Sequence, residues 1–111
     1  MTHPTLSDAL KRVAQRFAVR LPERLDRLEA DAQALCPKST SEEFFNVERA
    51  LHDLAGTAAT LGFAELGVAA RDAERRVGDI RLEDERRSAD QLAMIIGAVH
   101  AVRESVGSQV V

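Results

Sequence analysis

Between residues 44 and 61 the chain places apolar side chains at Phe44, Val47, Leu51, Leu54, Ala58 and Leu61, an unbroken 3-4-3-4-3 rhythm. At 3.6 residues per turn that spacing keeps one stripe facing one way for about five turns, whereas a half-buried strand would alternate with period two. The segment is therefore an amphipathic helix, and its stripe needs partners. The same rhythm supplies them: Leu6, Leu10, Val13 and Phe17; Leu25, Leu28, Ala32 and Leu35; Leu66, Ala70, Ala73 and Val77; and Leu92, Ile95, Val99, Val102 and Val106. No stretch alternates as a strand would. Ala, Leu, Arg and Glu, all strong helix formers, dominate the chain.

Punctuation divides these stripes into five expected helices, at about 5–19, 22–35, 41–61, 64–78 and 84–106. Thr5 and Asp8 have the spacing of a capping box, as do Thr40 and Glu43. Pro22 suits the first turn of the second helix. Gly62 is placed to end the third, and Gly78-Asp79 the fourth. The connection at 62–63 is so short that the third and fourth helices must form an antiparallel hairpin. The expected fold is all-α: one domain spanning residues 1–111, an antiparallel four-helix bundle built from the second to fifth helices. An additional N-terminal helix caps it or lies alongside, and the Leu and Ile residues of the stripes form the core.

Composition narrows the function. The 111 residues carry a net charge of −3, with the two signs interspersed. Nothing in that balance favours nucleic acid or an anionic membrane surface. The aromatic residues are four Phe, which makes a base-stacking platform or an aromatic cage an unpromising reading. The single cysteine, Cys36, excludes an internal disulfide and a multi-cysteine zinc site, and it fits a cytoplasmic setting. Beside Pro37 and without an evident base, it reads as a structural thiol. The residues Met1-Thr2-His3-Pro4 open no signal-peptide pattern, and no apolar run approaches the length of a spanning helix.

Of the three histidines, His3 lies in the tail and His100 beside the core position Val99. His52 is the informative one. At 100° per residue it falls roughly 130° from the centre of the Phe44–Leu61 stripe, so it points outward. Arg49 and Gly56 share its side, and Phe45, Ala55 and Ala59 lie near. Gly56 within a helix costs about 1 kcal/mol relative to Ala. Two readings account for it: close approach by a partner, or close approach by a neighbouring helix of the bundle.

Familiar catalytic patterns do not fit. A di-iron bundle needs inward Glu-x-x-His pairs, but Arg49 stands three residues before His52. The histidine pair of a zincin, the glycine-rich phosphate loops and the Gly-x-Ser-x-Gly elbow are all missing from the sequence. No metal site and no cofactor are expected.

The run Leu51-His52-Asp53-Leu54-Ala55-Gly56-Thr57-Ala58-Ala59-Thr60-Leu61-Gly62-Phe63-Ala64-Glu65-Leu66 resembles the signature of histidine-containing phosphotransfer (HPt) domains, His-x-Leu-Lys-Gly-x-Ala-x-x-Leu-Gly-x-x-x-Leu. His52, Leu54, Gly56, Ala58, Leu61, Gly62 and Leu66 match it in place. Phe17 and Leu21-Pro22-Glu23-Arg24-Leu25 with Leu28 resemble the family's second-helix entry. The resemblance covers most of the chain and agrees with the bundle read from periodicity.

The resemblance implies a phosphoryl carrier of a multistep two-component relay, without kinase activity of its own. His52 would be the phosphoacceptor, taking a phosphoryl group from the aspartate of a response-regulator receiver domain and returning it. Receiver domains are the expected partners, with a hybrid histidine kinase as a further one, and the Mg²⁺ of the reaction belongs to the receiver. Gly56 would admit the receiver. Phe45, Ala55, Ala59 and Phe63 would give it an apolar footing, ordinary packing being the other account of those four. The self-contained bundle with one acceptor histidine suggests a monomer.

One departure stands out: where the family has Lys, this chain has Ala55. Folding the hairpin about Gly62 brings residues 71–75 level with position 52. Glu74 falls where the family often has a polar residue that orients the imidazole. Arg49, with Arg71 or Arg75, could replace the missing lysine charge, or all three could form ordinary surface ion pairs. The missing lysine also leaves open an HPt-like module that docks a receiver without accepting phosphate. A dimeric kinase of the histidine-kinase type fits less well, for want of any ATP-binding pattern.

Overall fold

Thr5 starts the first helix by accepting a hydrogen bond from the Asp8 amide, while the Asp8 carboxylate accepts one from the Thr5 amide. The structure, a computed structural model, describes residues 5–83 and 88–107. Among these residues four helices occur: α1 (Leu6–Ala34), α2 (Ser41–Thr60), α3 (Ala64–Arg81) and α4 (Ala89–Val106).

The separate N-terminal helix expected from the sequence is absent as such. The helices expected at 5–19 and 22–35 merge into one 29-residue helix, α1, that runs through Pro22. Proline removes one amide donor and crowds the carbonyl four residues back, here that of Ala18. Pro22 is exposed, and Leu21 and Leu25 on either side of it are buried in the core. Core packing across the proline thus outweighs the lost bond. The bundle is made of α1 to α4, and α1 is one of its members.

The α1 stripe is only partly core. Leu21, Leu25, Leu28 and Ala32 are buried, but Leu6, Leu10 and Val13 are 78%, 44% and 46% exposed. At 1.5 Å per residue α1 is about 43 Å long, more than the other helices can cover. Its first turns overhang the bundle, and the molecule is correspondingly elongated, 62 × 24 × 19 Å. The overhang begins beyond Phe17, whose ring packs against Phe63 at 5.3 Å between centroids.

The hairpin of α2 and α3 is as expected. Thr40 caps α2 by accepting from the Glu43 amide, with no reciprocal bond from the Glu43 side chain. Gly62, at φ +89°, closes it. The Gly62 amide donates to the Ala59 carbonyl and the Phe63 amide to that of Ala58, satisfying carbonyls that the helix end would otherwise strand.

Two boundaries differ from expectation. Gly78 does not end α3, which continues to Arg81; Gly78 is buried where a Cβ would stand 2.8 Å from Glu48 Oε1. Glu48 itself is held by Arg81, whose Nε donates to its carboxylate at 2.6 Å. The α4 helix starts at Ala89, capped by a Ser88–Gln91 box; the expected start at residue 84 lies outside the described residues, as does His3. Cys36 is exposed rather than packed, and its thiol is shifted down by the hydrogen bond from the Ser39 hydroxyl. The core joins Phe44, Leu51, Leu54, Leu66, Val77, Ile95 and Val99, all essentially inaccessible, so the four helices bury one continuous apolar centre.

Candidate functional site

The site is fixed by the register of the α2–α3 hairpin. Phe45 lies under the Arg81 guanidinium, Glu48 faces Gly78, and Ala59 approaches Gly67. In the same register His52 faces Glu74, with Nδ1 2.7 Å from Oε1. The His52 side chain is 66% exposed and that of Glu74 is 21% exposed. The stripe on the opposite side of α2 is buried, so the imidazole stands clear of the bundle with one edge tied to α3.

That tie selects a tautomer. A carboxylate only accepts hydrogen bonds, so the short contact places a proton on Nδ1. In the neutral ring Nε2 then carries the free lone pair, directed away from Glu74. The arrangement presents a nucleophilic nitrogen outward with its ring orientation fixed from behind.

The glycines around it have distinct jobs. A Cβ on Gly56 would meet nothing within 4 Å, so no neighbouring helix requires this glycine, and it faces open space beside His52. The close approach inside the molecule occurs at Gly67, where a Cβ would lie 3.4 Å from the Ala59 amide nitrogen and 3.5 Å from the Ala55 carbonyl oxygen. The sequence reading passed over Gly67; its lack of a side chain opposite the small residues Ala55 and Ala59 was the available signal.

A family model of the Hpt domain matches residues 12–104. The chain belongs to the Hpt domain family. No curated protein and no solved structure matches it. Hpt domains are phosphoryl carriers of phosphorelays, helical bundles with a histidine as acceptor, and the helical fold described above agrees with that membership. Among the described residues no helix is long and apolar enough to cross a membrane.

Within this Hpt domain the other expected site residues are distributed unevenly about His52. Gly56 and Ala59 are exposed on its face. Ala55 is not: it is 1% exposed, because α3 comes so close at Gly67 that the methyl group is covered. Ala55 therefore offers no footing to a partner. Phe63 is half-buried against Phe17 and the core, so packing accounts for it. Phe45 stays 43% exposed, with Arg81 5.3 Å from its ring centre.

The three arginines differ as well. Arg49 is exposed one turn before His52. Arg75 is bound to Asp72, its Nη2 donating at 2.7 Å, and Arg76 binds the other Asp72 oxygen. These bonds, that from Arg76 foremost, hold the Asp72 carboxyl below its usual range. Arg71 is exposed, makes no ion pair among the described residues, and lines a groove with Ala59, Gly67 and Arg75. By the hairpin register Arg71 stands level with Ala55, where the family's lysine would be.

Proposed function

We propose that this Hpt domain accepts a phosphoryl group on Nε2 of His52 from the phosphoaspartate of a receiver domain and passes it on. The observation that carries the reading is the exposed imidazole whose Nδ1–H is directed onto the Glu74 carboxylate. In the transfer, the Nε2 lone pair attacks phosphorus in line and an N–P bond forms. The acyl P–O bond breaks, and the aspartate carboxylate leaves with the bonding pair. No proton need depart. The phosphorylated ring keeps its Nδ1 proton and bears a positive charge, which Glu74 offsets at 2.7 Å.

Nothing in this scheme asks the Hpt domain for a metal; the Mg²⁺ that neutralises the phosphoryl oxygens belongs to the receiver. The chain's own contribution to that charge would come from Arg71, level with Ala55, with Arg49 on the opposite side of the histidine. Arg75 is a weaker source while Asp72 holds it. Gly56 leaves room for the receiver, and Ala59 and Phe45 would supply its apolar footing. The working form would be a cytoplasmic monomer without kinase activity.

Ala55, in place of the lysine, favours a second reading, a module that docks receivers without accepting phosphate. Phosphorylated receiver domains, incubated with Mg²⁺ and this chain, separate the two. The carrier gains one acid-labile phosphoryl group by intact mass, and His52→Gln gains none. Binding without gain would establish the docking module instead.

A further inference from the structure

Along the sequence the charges of α1 are interspersed, but the helix sorts them. Arg12, Arg16, Arg20 and Arg24 recur every four residues, with Arg27 three further on, and form one ridge. Two acidic side chains of α1 are engaged by α4: Arg103 donates to Glu29 at 2.6 Å and also to Asp26. The ridge has no such counterpart. None of its five arginines closes an ion pair among the described residues, and all but the half-buried Arg24 are exposed.

The position of the ridge is specific. Arg16, Arg20, Arg24 and Arg27, with Glu23 among them, line a groove with Val13, with Thr57 of α2 and with Leu61 at the α2 end. Val13, Thr57 and Leu61 also line the adjoining groove that holds His52, Asp53 and Gly56. The ridge and the imidazole thus share a wall. Beyond Val13 the overhang adds the exposed Leu10 and Leu6. A body seated over His52 from the α1 side therefore meets four guanidiniums against the carboxylates of Glu23 and Asp53, and apolar side chains toward the start of α1.

From this we infer that the α1 arginine ridge is a docking surface for receiver domains whose phosphorylation pocket has an acidic rim, and that it selects among receivers by charge. The inference rests on the carrier reading of His52 for its choice of partner. Charge complementarity carries it: a receiver holds its Mg²⁺ with carboxylates and presents a dianionic phosphoryl group, so the surface brought to His52 is anionic. An unpaired row of guanidiniums beside the acceptor lowers the cost of that approach and raises the encounter rate, which salt would then suppress.

The test compares the wild type with Arg16→Glu/Arg20→Glu, both exposed positions, after circular dichroism has shown equal helicity. A panel of phosphorylated receiver domains, from acidic to neutral around the phosphoacceptor, supplies the donors. We expect transfer from acidic-rimmed receivers to fall about tenfold or more in the variant at low salt. Wild-type transfer should weaken with added sodium chloride, and neutral-rimmed receivers should respond little. Loading by the small donor phosphoramidate needs no docking and should be equal in the two proteins. Absence of that loading from the wild type would sink the carrier reading alone, and receiver binding by titration calorimetry would then read the ridge. Equal transfer or binding by wild type and variant across the panel, or insensitivity to salt, would overturn the inference. So would wild-type binding to phosphatidylserine vesicles that the variant loses while receiver transfer stays intact, since the ridge would then be a membrane surface.

Discussion

His52 Nδ1 lies 2.7 Å from Glu74 Oε1, a contact that joins α2 to α3 across 22 residues of sequence and leaves Nε2 facing solvent. Removing the charge while keeping the shape tests what that contact does. Glu74→Gln should slow His52 phosphorylation by roughly tenfold, equivalent to about 1.4 kcal/mol of barrier. The pair is too exposed for a large stability change, so melting should shift by less than about 1 kcal/mol. Intact-mass time courses with phosphoramidate and thermal melts on the same samples would check both. An unchanged rate would mean that the carboxylate neither orients the ring nor offsets its charge.

Arg71 standing level with Ala55 gives a pair of expectations. Arg71→Gln should reduce transfer from receivers several-fold, while Arg71→Lys, which keeps a cation at the same place, should retain part of it. A lysine supplies the charge but not the planar fork of the guanidinium. Stopped-flow or quench kinetics of the two variants decide it; an unchanged rate for Arg71→Gln would assign the charge to some other residue.

How much of this was legible before the structure depends on which physical quantity each residue reports. The α2 stripe and Gly62 give a helix, its end and a tight hairpin, and those together bring residues 71–75 level with His52; the family resemblance, not the register, singles out Glu74 among them. Pro22 was misread because a proline at a first helical turn and one inside a helix look the same in sequence; only the burial of Leu21 and Leu25 on both sides decides. Leu6, Leu10 and Val13 have the right period for a core face, but periodicity cannot say whether another helix extends far enough to cover them. Ala55 lies within 60° of His52 on a helical wheel, which makes it look exposed. Its burial comes from the α3 backbone at Gly67, a tertiary approach with no trace in the spacing of α2. The arginine ridge was present as a four-residue spacing and was hidden by counting charges along the chain rather than around the helix.

The two glycines beside the site should behave oppositely. Gly56→Ala meets no atom within 4 Å and should stabilise the domain by about 1 kcal/mol through helix propensity. If the receiver needs that space, the same change slows transfer. Gly67→Val drives a branched side chain into the Ala55 and Ala59 backbone and should cost about 1–3 kcal/mol. Chemical denaturation gives the stabilities, and a Gly56→Ala variant both stabler and fully active would show that the glycine is not reserved for a partner.

Asp72 supplies the acid-side dependence. Its folded carboxyl titrates below the ordinary value of 3.8, chiefly because Arg76 and then Arg75 bind it. A depressed carboxylate contributes stability that is full above its unfolded value and is lost as pH falls through the folded one. Asp72→Asn should therefore destabilise the domain at neutral pH, and the difference should shrink as pH drops below 3.8. Being partly exposed, the cluster should also lose its effect in high salt. Melts of both proteins across that range check the sign; a gap that widens on acidification would contradict it.

Pro22 offers the sharpest check on the continuity of α1, because the two descriptions of this segment predict opposite signs. In one unbroken helix, Pro22→Ala restores an amide donor toward the Ala18 carbonyl and removes the ring's clash with it. An interior proline costs about 3 kcal/mol in a helix, part of it already absorbed by local adjustment. A gain of roughly 1–3 kcal/mol is expected, together with increased helical circular dichroism. Were Pro22 instead the first residue of a separate helix, its fixed φ would favour that start, and alanine would lower stability by enlarging the unfolded ensemble. A fall in melting temperature on Pro22→Ala would therefore divide α1 in two. A rise would tie Leu6, Leu10 and Val13 rigidly to the bundle, holding the overhang at a fixed angle beside the face that carries His52.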